Sequence, residues 1–229
     1  MHAGGVDDDM HARSDDIYEL PMFPLGSVVL PGDDVPLHVF EPRYRAMVQH
    51  CLDTESHFGV ALIERGHEVG GGDVRGVAAV SIRIDRALPT PDGRFVLECR
   101  GVDRIRVLEW LPDDPYPRAR VTAWPDLPAG DESLDEVYDL VQERTDRLFE
   151  ILTGIARSRD LPTPEAPRVD ADGTRSGAEV WEFASSLPLG SSDRAKVLAA
   201  ETVGRRLHVL ATALEDVIAI AEFSALPDL

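Results

Sequence analysis

The sequence predicts an α+β protein in which a β-rich half is followed by a helical half. Up to about residue 125, apolar and polar residues alternate in short runs that proline and glycine interrupt, as is typical of strands. From about residue 134 onward, apolar residues recur every three or four positions, as is typical of helices. Because many short strands joined by turns close into barrels or pack as sandwiches, we expect a β-barrel followed by a helical bundle.

The chain divides into three parts by composition. The first 17 residues are acidic and hold few large apolar side chains, so we expect a disordered tail over 1–17. The β-rich domain, with one inserted helix, is predicted over 18–125 and the helical domain over 126–229. Within the helical domain, 158–175 holds many prolines and charged residues and is predicted to be a mobile loop.

The clearest strands form a predicted hairpin. In "VSIRIDR", which starts at Val80, and "RFVLECR", which starts at Arg94, every second residue is apolar. The segment Pro89–Gly93 between them combines proline, which fixes φ, with glycine, which accepts a positive φ. The same reasoning predicts further strands over His57–Glu64, Ile105–Trp110 and Arg118–Trp124.

One helix is predicted inside the β-rich half. Pro42 suits the first position of a helix, and an apolar stripe with helical spacing follows it, made of Tyr44, Met47, Val48, Cys51 and Leu52. We expect this helix to cap the barrel with its apolar face.

Helices are predicted to follow along the rest of the chain. A stripe from Leu134 to Ile155 predicts the first of them. Ser176 and Glu179 have the spacing of a capping box at the start of a short helix through Ala184, and Ser191 or Ser192 is predicted to cap the next one. A stripe over 203–221 predicts a long last helix.

Charge and composition exclude several classes of protein. The 229 residues hold 42 acidic and 23 basic side chains, a formal net charge of −19, which disfavours binding to nucleic acid and to anionic membranes. The same charge favours some preference for basic peptides. Cys51 and Cys99 lie among apolar neighbours without metal-ligand spacing, no apolar run is long enough to span a membrane, and the start is acidic where a signal peptide is basic. We therefore expect a cytoplasmic protein with reduced thiols.

The search for catalytic motifs predicts neither a catalytic residue nor a metal or cofactor site. The triglycine at Gly70 is followed by Asp73 rather than by the Lys-Ser/Thr of a phosphate-binding loop, and the seven histidines lack the His-Glu-x-x-His spacing of a zinc helix. Lys196, the only lysine, follows serines that are better explained as helix caps than as nucleophiles. Four aspartates beside prolines are predicted to be solvated turn carboxylates: Asp33, Asp34, Asp113 and Asp114.

The stretch "LPMFPLGSVVLPGDDVPLHVFEPRYRAMVQHCL", from Leu20 to Leu52, carries a resemblance to a family. Its Leu-Pro-Met-Phe-Pro-Leu start, the Val-Leu-Pro-Gly step and the Pro-Leu-His-Val-Phe-Glu box before Arg43 and Tyr44 resemble the amino-terminal substrate-recognition domain of Lon proteases, also found in cereblon. The resemblance continues through "DGRFVLECRGVDRIRV" from Asp92 and "FASSLPLGSSDRAKVLAAETVGRRLHVL" from Phe183.

The resemblance implies a PUA-like β pseudo-barrel followed by a C-terminal α-helical bundle. It also implies a non-catalytic module, without the ATPase and Ser-Lys peptidase domains of Lon, that recognises unfolded or apolar protein segments or serves as an adaptor for an ATP-dependent protease. In this interpretation the prolines of the opening stretch end short strands.

Seven residues of that stretch are the candidate site. We predict peptide contacts at Phe23, Leu37, Phe40 and Tyr44, although ordinary core packing is the simpler role for each. We predict a structural network of hydrogen bonds or ion pairs at His38, Glu41 and Arg43.

Three other functions stay open. A small-molecule sensor is suggested by the cereblon branch of the family, and RNA binding by the PUA-like fold alone, against the charge of −19. An uncharacterised enzyme is the third, because catalytic groups can come together from distant parts of a chain.

Overall fold

A computed structural model describes residues 16–54, 56–65, 74–127, 133–170 and 176–225 of the chain. The predicted disordered tail falls almost wholly outside these residues and stays a prediction. The triglycine segment also lies outside them.

Six strands form one sheet in the order β2-β5-β4-β3-β1-β6. An additional pairing between β5 and β6 joins the ends of the β5-β4-β3-β1-β6 series, so these five strands close into a ring. β2 lies outside the ring, beside the first half of β5. This arrangement confirms the predicted barrel, and its strands are β1 (Tyr18–Leu25), β2 (Asp34–Val39), β3 (His57–Arg65), β4 (Val74–Pro89), β5 (Phe95–Leu111) and β6 (Arg118–Ala123).

The predicted hairpin is present between β4 and β5. Pro89 pairs with Phe95 across its end, and Gly93 in the turn has a φ of +77°. The two runs that the sequence separates, 94–100 and 105–110, belong to one strand of 17 residues. Gly101 lies inside that strand because a Cβ there would come within 2.4 Å of the Leu30 carbonyl oxygen, so glycine keeps the strand continuous where another segment crosses it.

The prediction that prolines end the first strands is wrong. Pro21 and Pro24 lie inside β1, and Pro36 lies inside β2. Each half of β1 pairs with only one neighbour, β6 over 18–21 and β3 over 22–25, and β2 is an edge strand. A missing N–H is tolerated at such one-sided positions, which explains how the prolines fit.

Five helices complete the fold in the part of the chain that the structure describes. One of them, α1 (Pro42–Asp53), is inserted between β2 and β3, with Pro42 in its first turn as predicted. The other four follow the barrel: α2 (Asp135–Ser158), α3 (Gly177–Ser186), α4 (Ser191–Ala199) and α5 (Val203–Ser224).

The helix starts confirm one capping prediction and correct another. The Ser176 side chain accepts a hydrogen bond from Glu179 N while the Glu179 side chain accepts one from Ser176 N, which is the predicted capping box of α3. The predicted serine cap of α4 is wrong: Gly190 is the N-cap, and Ser191 is already the first helical residue. α4 therefore begins without a side-chain cap.

The buried apolar residues form two cores. The smaller one draws on all five strands of the ring and thus fills the barrel, with Leu20, Met22, Ala61, Ala79, Ile105, Val107, Ala119 and Val121. The larger one continues from the apolar face of α1, through the outer side of the sheet, to the helices of the second half. The helical half therefore packs against the barrel through shared apolar surface.

Two buried arginines link the barrel to the helices. Arg104 on β5 and Arg206 on α5 are 4% and 0% exposed, and both bind the carboxylate of Asp126: Arg104 Nη2 lies 3.0 Å from Oδ1, and Arg206 Nη1 lies 2.9 Å from Oδ2. The Arg206 guanidinium also lies 3.5 Å from the centre of the Trp181 ring on α3. We call Arg104, Asp126, Trp181 and Arg206 the junction cluster.

The predicted mobile loop is in contact with α2 near its described end. Val169 N donates to Gln142 Oε1 over 3.1 Å, and Gln142 Nε2 donates to the Pro167 carbonyl over 3.4 Å. Residues 171–175 lie outside the described part, and the mobility of 158–175 stays a prediction. None of the helices in the described part is long and apolar enough to cross a membrane.

Candidate functional site

The four predicted peptide contacts lie around the start of α1, but they differ in exposure. Tyr44 and Leu37 are 4% and 9% exposed, so both are core residues. The Phe23 ring stacks on Tyr44 with ring centres 4.2 Å apart. Phe40 is 52% exposed and is the member of the set that offers a large apolar surface to a partner.

The position of Phe40 follows from the alternation of β2. Val35, Leu37 and Val39 are buried, so the next residue in the alternation turns away from the core. Val39 pairs with Phe95 at the start of β5. Phe40 therefore stands at the end of the sheet where the β4–β5 hairpin turns, two residues before α1 begins.

A groove lies between α1 and the hairpin, and its lining begins at Pro42. Its volume is about 470 Å³. The helix contributes residues with i, i+3, i+4 and i+7 spacing, on a face that differs from the buried face of Tyr44, Met47, Val48 and Cys51. We call it the α1–hairpin groove, and it is lined by Pro42, Arg45, Ala46, Gln49, Gly93 and Phe95.

Arg45 is the charged residue of the groove. Its Nε atom is buried and has no hydrogen-bond partner among the described residues. The guanidinium lies against Gly93, where a Cβ would meet Nη2 at 2.6 Å. The absence of a side chain at Gly93 thus lets the guanidinium lie on the turn.

The predicted structural network divides into two parts. Glu41 Oε2 accepts a hydrogen bond from Arg43 Nε over 3.2 Å, and Asp113 Oδ2 lies 3.9 Å from Arg43 Nη1 and 3.1 Å from Arg75 Nη2. His38 lies exposed on β2, opposite Val96 in β5. The structure therefore brings Glu41 and Arg43 together with the β5–β6 connection, and the network role of His38 stays a prediction.

The turn aspartates take part in structural contacts. Asp33 Oδ2 accepts a hydrogen bond from Leu30 N over 2.8 Å and pairs with Arg194 of α4, so its predicted solvation is wrong. Asp34 is exposed and lies 3.1 Å from Arg100 Nη1. These contacts explain the carboxylates without acid–base chemistry.

The cysteines and the metal ligands offer no reactive centre in the described part of the chain. Burial raises the pKa of both Cys51 and Cys99 to about 12, so both thiols are neutral at physiological pH and unsuited to nucleophilic attack. Within the described ranges, no group of three or more His, Cys, Asp or Glu side chains is arranged to hold a metal ion.

Sequence reasoning missed most of the groove. Arg45, Gln49 and Phe95 were not among the predicted contacts, although Arg45 and Gln49 share the face of α1 opposite its apolar stripe. That spacing marks them as exposed on the helix. It does not reveal that the turn at Gly93 lies across from them.

Comparison with known families gives a match over most of the chain. A family described as the ATP-dependent protease La (LON) substrate-binding domain matches residues 19–216. Lon protease 2 of Herpetosiphon aurantiacus is 24% identical over 208 residues, which are 89% of this chain and 24% of that protein. A LON peptidase N-terminal domain and RING finger protein of Schizosaccharomyces pombe is 27% identical over 121 residues, which are 48% of this chain and 25% of that protein. The chain spans a quarter or less of the length of these relatives.

Two solved structures have the same fold. A Lon N-terminal domain protein from Xanthomonas campestris is 29% identical, with a TM-score of 0.60 over 85% of this chain and 98% of that one. The N-terminal domain of Mycobacterium avium complex Lon protease is 19% identical, with a TM-score of 0.58 over 87% of this chain and 99% of that one. At that identity the second structure supports the fold alone. With the family match, the barrel and the helices that follow it, the chain belongs to the family of LON substrate-binding domains.

Proposed function

We propose that this chain is a recognition module that binds unfolded or apolar protein segments at Phe40 and the α1–hairpin groove. The exposure of Phe40, 52% in a residue type that folding normally buries, is the observation that carries the proposal. The groove begins two residues further along the chain, at Pro42, and its lining also includes the apolar residues Ala46 and Phe95. An aromatic side chain beside a concave apolar surface is a typical anchor for a bound segment.

The binding surface proposed here is narrower than the sequence suggests. Leu37 and Tyr44 act by holding β2 and α1 in the core, and Phe23 supports Tyr44 through their stacked rings. Their substitution would weaken binding only by disturbing the fold. Phe40 is the contact that can be removed without leaving a cavity.

We further propose that the chain acts without catalysis of its own, as an adaptor that presents segments to an ATP-dependent protease in the cytoplasm. Support comes from the full-length relatives, which include Lon proteases, and from the family description as a substrate-binding domain. Purified protein is expected neither to hydrolyse ATP nor to cleave an unfolded protein. Turnover that co-purifies with the chain through successive columns would contradict this.

The proposal is tested by binding of a reduced, alkylated protein that stays unfolded, labelled with a fluorophore and followed by anisotropy. Phe40→Ala is expected to weaken binding about 10-fold, because about 1.5 kcal/mol or more of apolar contact is lost. Phe223→Ala is the matched control: Phe223 on α5 is 77% exposed and lies far along the chain from the groove. Equal effects of the two substitutions, or no binding by the native protein, would disprove the proposed surface.

A further inference from the structure

We infer that the α1–hairpin groove selects segments in which an aspartate or glutamate side chain accompanies a large apolar side chain, with Arg45 binding the carboxylate. The inference rests on the proposed function, because it names the class of segment that the same groove takes. It starts from Arg45, the charged residue of the lining, because apolar contacts alone give that residue no role.

Arg45 is held in place but not neutralised. Its Nε is buried without a hydrogen-bond partner among the described residues, and its Nη2 lies over Gly93. Because Nε is buried, a ligand carboxylate would have to meet the Nη groups of Arg45. A guanidinium carries five N–H donors in a planar fork that matches the two oxygens of a carboxylate.

Arg45 differs from the neighbouring arginines in its lack of an ion pair among the described residues. In the described part of the barrel and its capping helix, most arginines lie within salt-bridge distance of an acidic side chain, whereas none of those ion pairs includes Arg45. The paired arginines are Arg43, Arg75, Arg83, Arg86, Arg94, Arg100, Arg104, Arg106, Arg118 and Arg120. In a chain with 42 acidic residues, a partly buried arginine without a carboxylate partner among the described residues is suited to bind a carboxylate of a ligand.

Nearby acidic groups are committed elsewhere. Glu41, the N-cap of α1, binds Arg43, and Asp92 in the hairpin turn lies 3.0 Å from Arg94 Nε. Gln49 Nε2 donates to Asp53 Oδ1 over 3.0 Å. The first turn of α1 has no acidic residue, so the partial positive charge of the helix start adds to that of Arg45.

Local and overall charge therefore act in opposite directions. The net charge of −19 favours encounter with basic segments at long range, where salt screens it. At contact, the nearest charge dominates because the interaction energy falls with distance. We thus expect the groove to prefer an acidic and apolar segment over a neutral one of the same shape.

The experiment compares two peptides that differ only in charge. Both are acetylated and amidated and contain phenylalanine and leucine; one carries aspartates where the other carries isosteric asparagines. Titration calorimetry with the native protein is expected to give at least 10-fold tighter binding of the aspartate peptide. Arg45→Gln is expected to remove that difference by weakening only the aspartate peptide, and Arg45→Lys to restore part of it. Arg159→Gln, at an exposed position after α2, removes the same charge away from the groove and should change nothing.

Each other outcome has a distinct meaning. Equal binding of both peptides, with both weakened by Phe40→Ala, would overturn the charge selectivity and leave the proposed function standing. Equal weakening of both peptides by Arg45→Gln would make Arg45 a packing residue and overturn the inference. If the asparagine peptide binds only when its carboxyl terminus is left free, the groove recognises the end of a chain and not an acidic side chain. That result would overturn the inference. Binding of neither peptide would overturn the inference and the proposed groove together.

Discussion

The junction cluster and the α1–hairpin groove are both built around arginine, and they use it in opposite ways. Arg104 donates to Asp126 and to backbone carbonyls, and Arg206 donates to Asp126. Arg206 Nε has no acceptor in the described part, but its guanidinium lies over the Trp181 ring. Among the residues that the structure describes, Arg45 has neither a carboxylate partner nor a stacked ring. The comparison teaches that an arginine bound to a carboxylate serves the fold, whereas an arginine without one remains available to a ligand.

The junction cluster also shows how burial changes the pKa of an arginine that has partners. Desolvation lowers the pKa of Arg104 to about 10, yet the side chain stays charged at neutral pH. Two cations therefore share one carboxylate there. Carbonyl oxygens supply the remaining negative charge: those of Trp124 and Leu198 lie 2.9 and 3.0 Å from Arg104 nitrogens.

The largest effect is expected from breaking the junction. Asp126→Asn removes the one carboxylate between two buried guanidiniums, and we expect a loss of about 3 to 5 kcal/mol in the free energy of unfolding, measured in urea. Asp216→Asn, at an exposed position on α5, should change it by less than about 0.5 kcal/mol. Similar stabilities of the two variants would show that the carbonyls alone neutralise the cluster.

The buried thiols give an independent measurement of the same change. Cys51 and Cys99 react with a thiol reagent only when the protein opens, because the folded state keeps both buried and protonated. Under conditions where reaction is slower than reclosing, a loss of about 3 to 5 kcal/mol raises the labelling rate roughly 10²- to 5 × 10³-fold. Unchanged labelling in Asp126→Asn would mean that the barrel opens independently of the junction.

A smaller effect is expected at the turn that supports Arg45. Gly93→Ala places a Cβ at a φ of +77° and within 2.6 Å of Arg45 Nη2, so we expect a loss of about 1 to 2 kcal/mol and weaker binding of the aspartate peptide. Gly154→Ala on α2 meets nothing within 4 Å and should stabilise the protein by about 0.5 to 1 kcal/mol. Urea unfolding of both variants measures these changes. An unchanged free energy of unfolding in Gly93→Ala would mean that the turn relaxes.

The smallest effect on stability is expected at Arg45 itself. Since no acidic partner is lost, Arg45→Gln should change the free energy of unfolding by less than about 0.5 kcal/mol while it changes peptide binding. Urea unfolding of the purified variant checks this. A loss of several kcal/mol would place Arg45 with the junction arginines and end the contrast between the two regions.

The fold could be predicted further than the site, for a physical reason. Alternation in β4 and β5, Pro42 at the start of α1 and the Ser176 capping box are local signals, and the structure confirms each. Closure of the barrel depends on the pairing of β1 with β6, strands from opposite ends of the β-rich half, which no local pattern records. The sequence did not predict the full length of β5. Glycine is required at position 101 because another segment crosses the strand there, and not because the chain turns.

The candidate site depends on which face of α1 lies against the β4–β5 hairpin. The stretch that suggested contacts at Phe23, Leu37, Phe40 and Tyr44 indicates apolar residues near α1, but the sequence does not say which of them remain exposed. The sequence pattern does not distinguish Arg45 from Arg43, which lies two residues before it on the same helix. Only the three-dimensional arrangement shows that one arginine is paired and the other is not.

The course of β5 has a consequence for protein engineering. Its first half pairs with β2 beside the groove, its middle carries Arg104, and its second half closes the ring against β6. A fragment cut after residue 125 would keep every strand but lose Asp126 and the carbonyl groups that neutralise Arg104. We expect such a fragment to be a poor stand-alone binder scaffold, so grafting this recognition surface onto another protein would require transplanting both halves together.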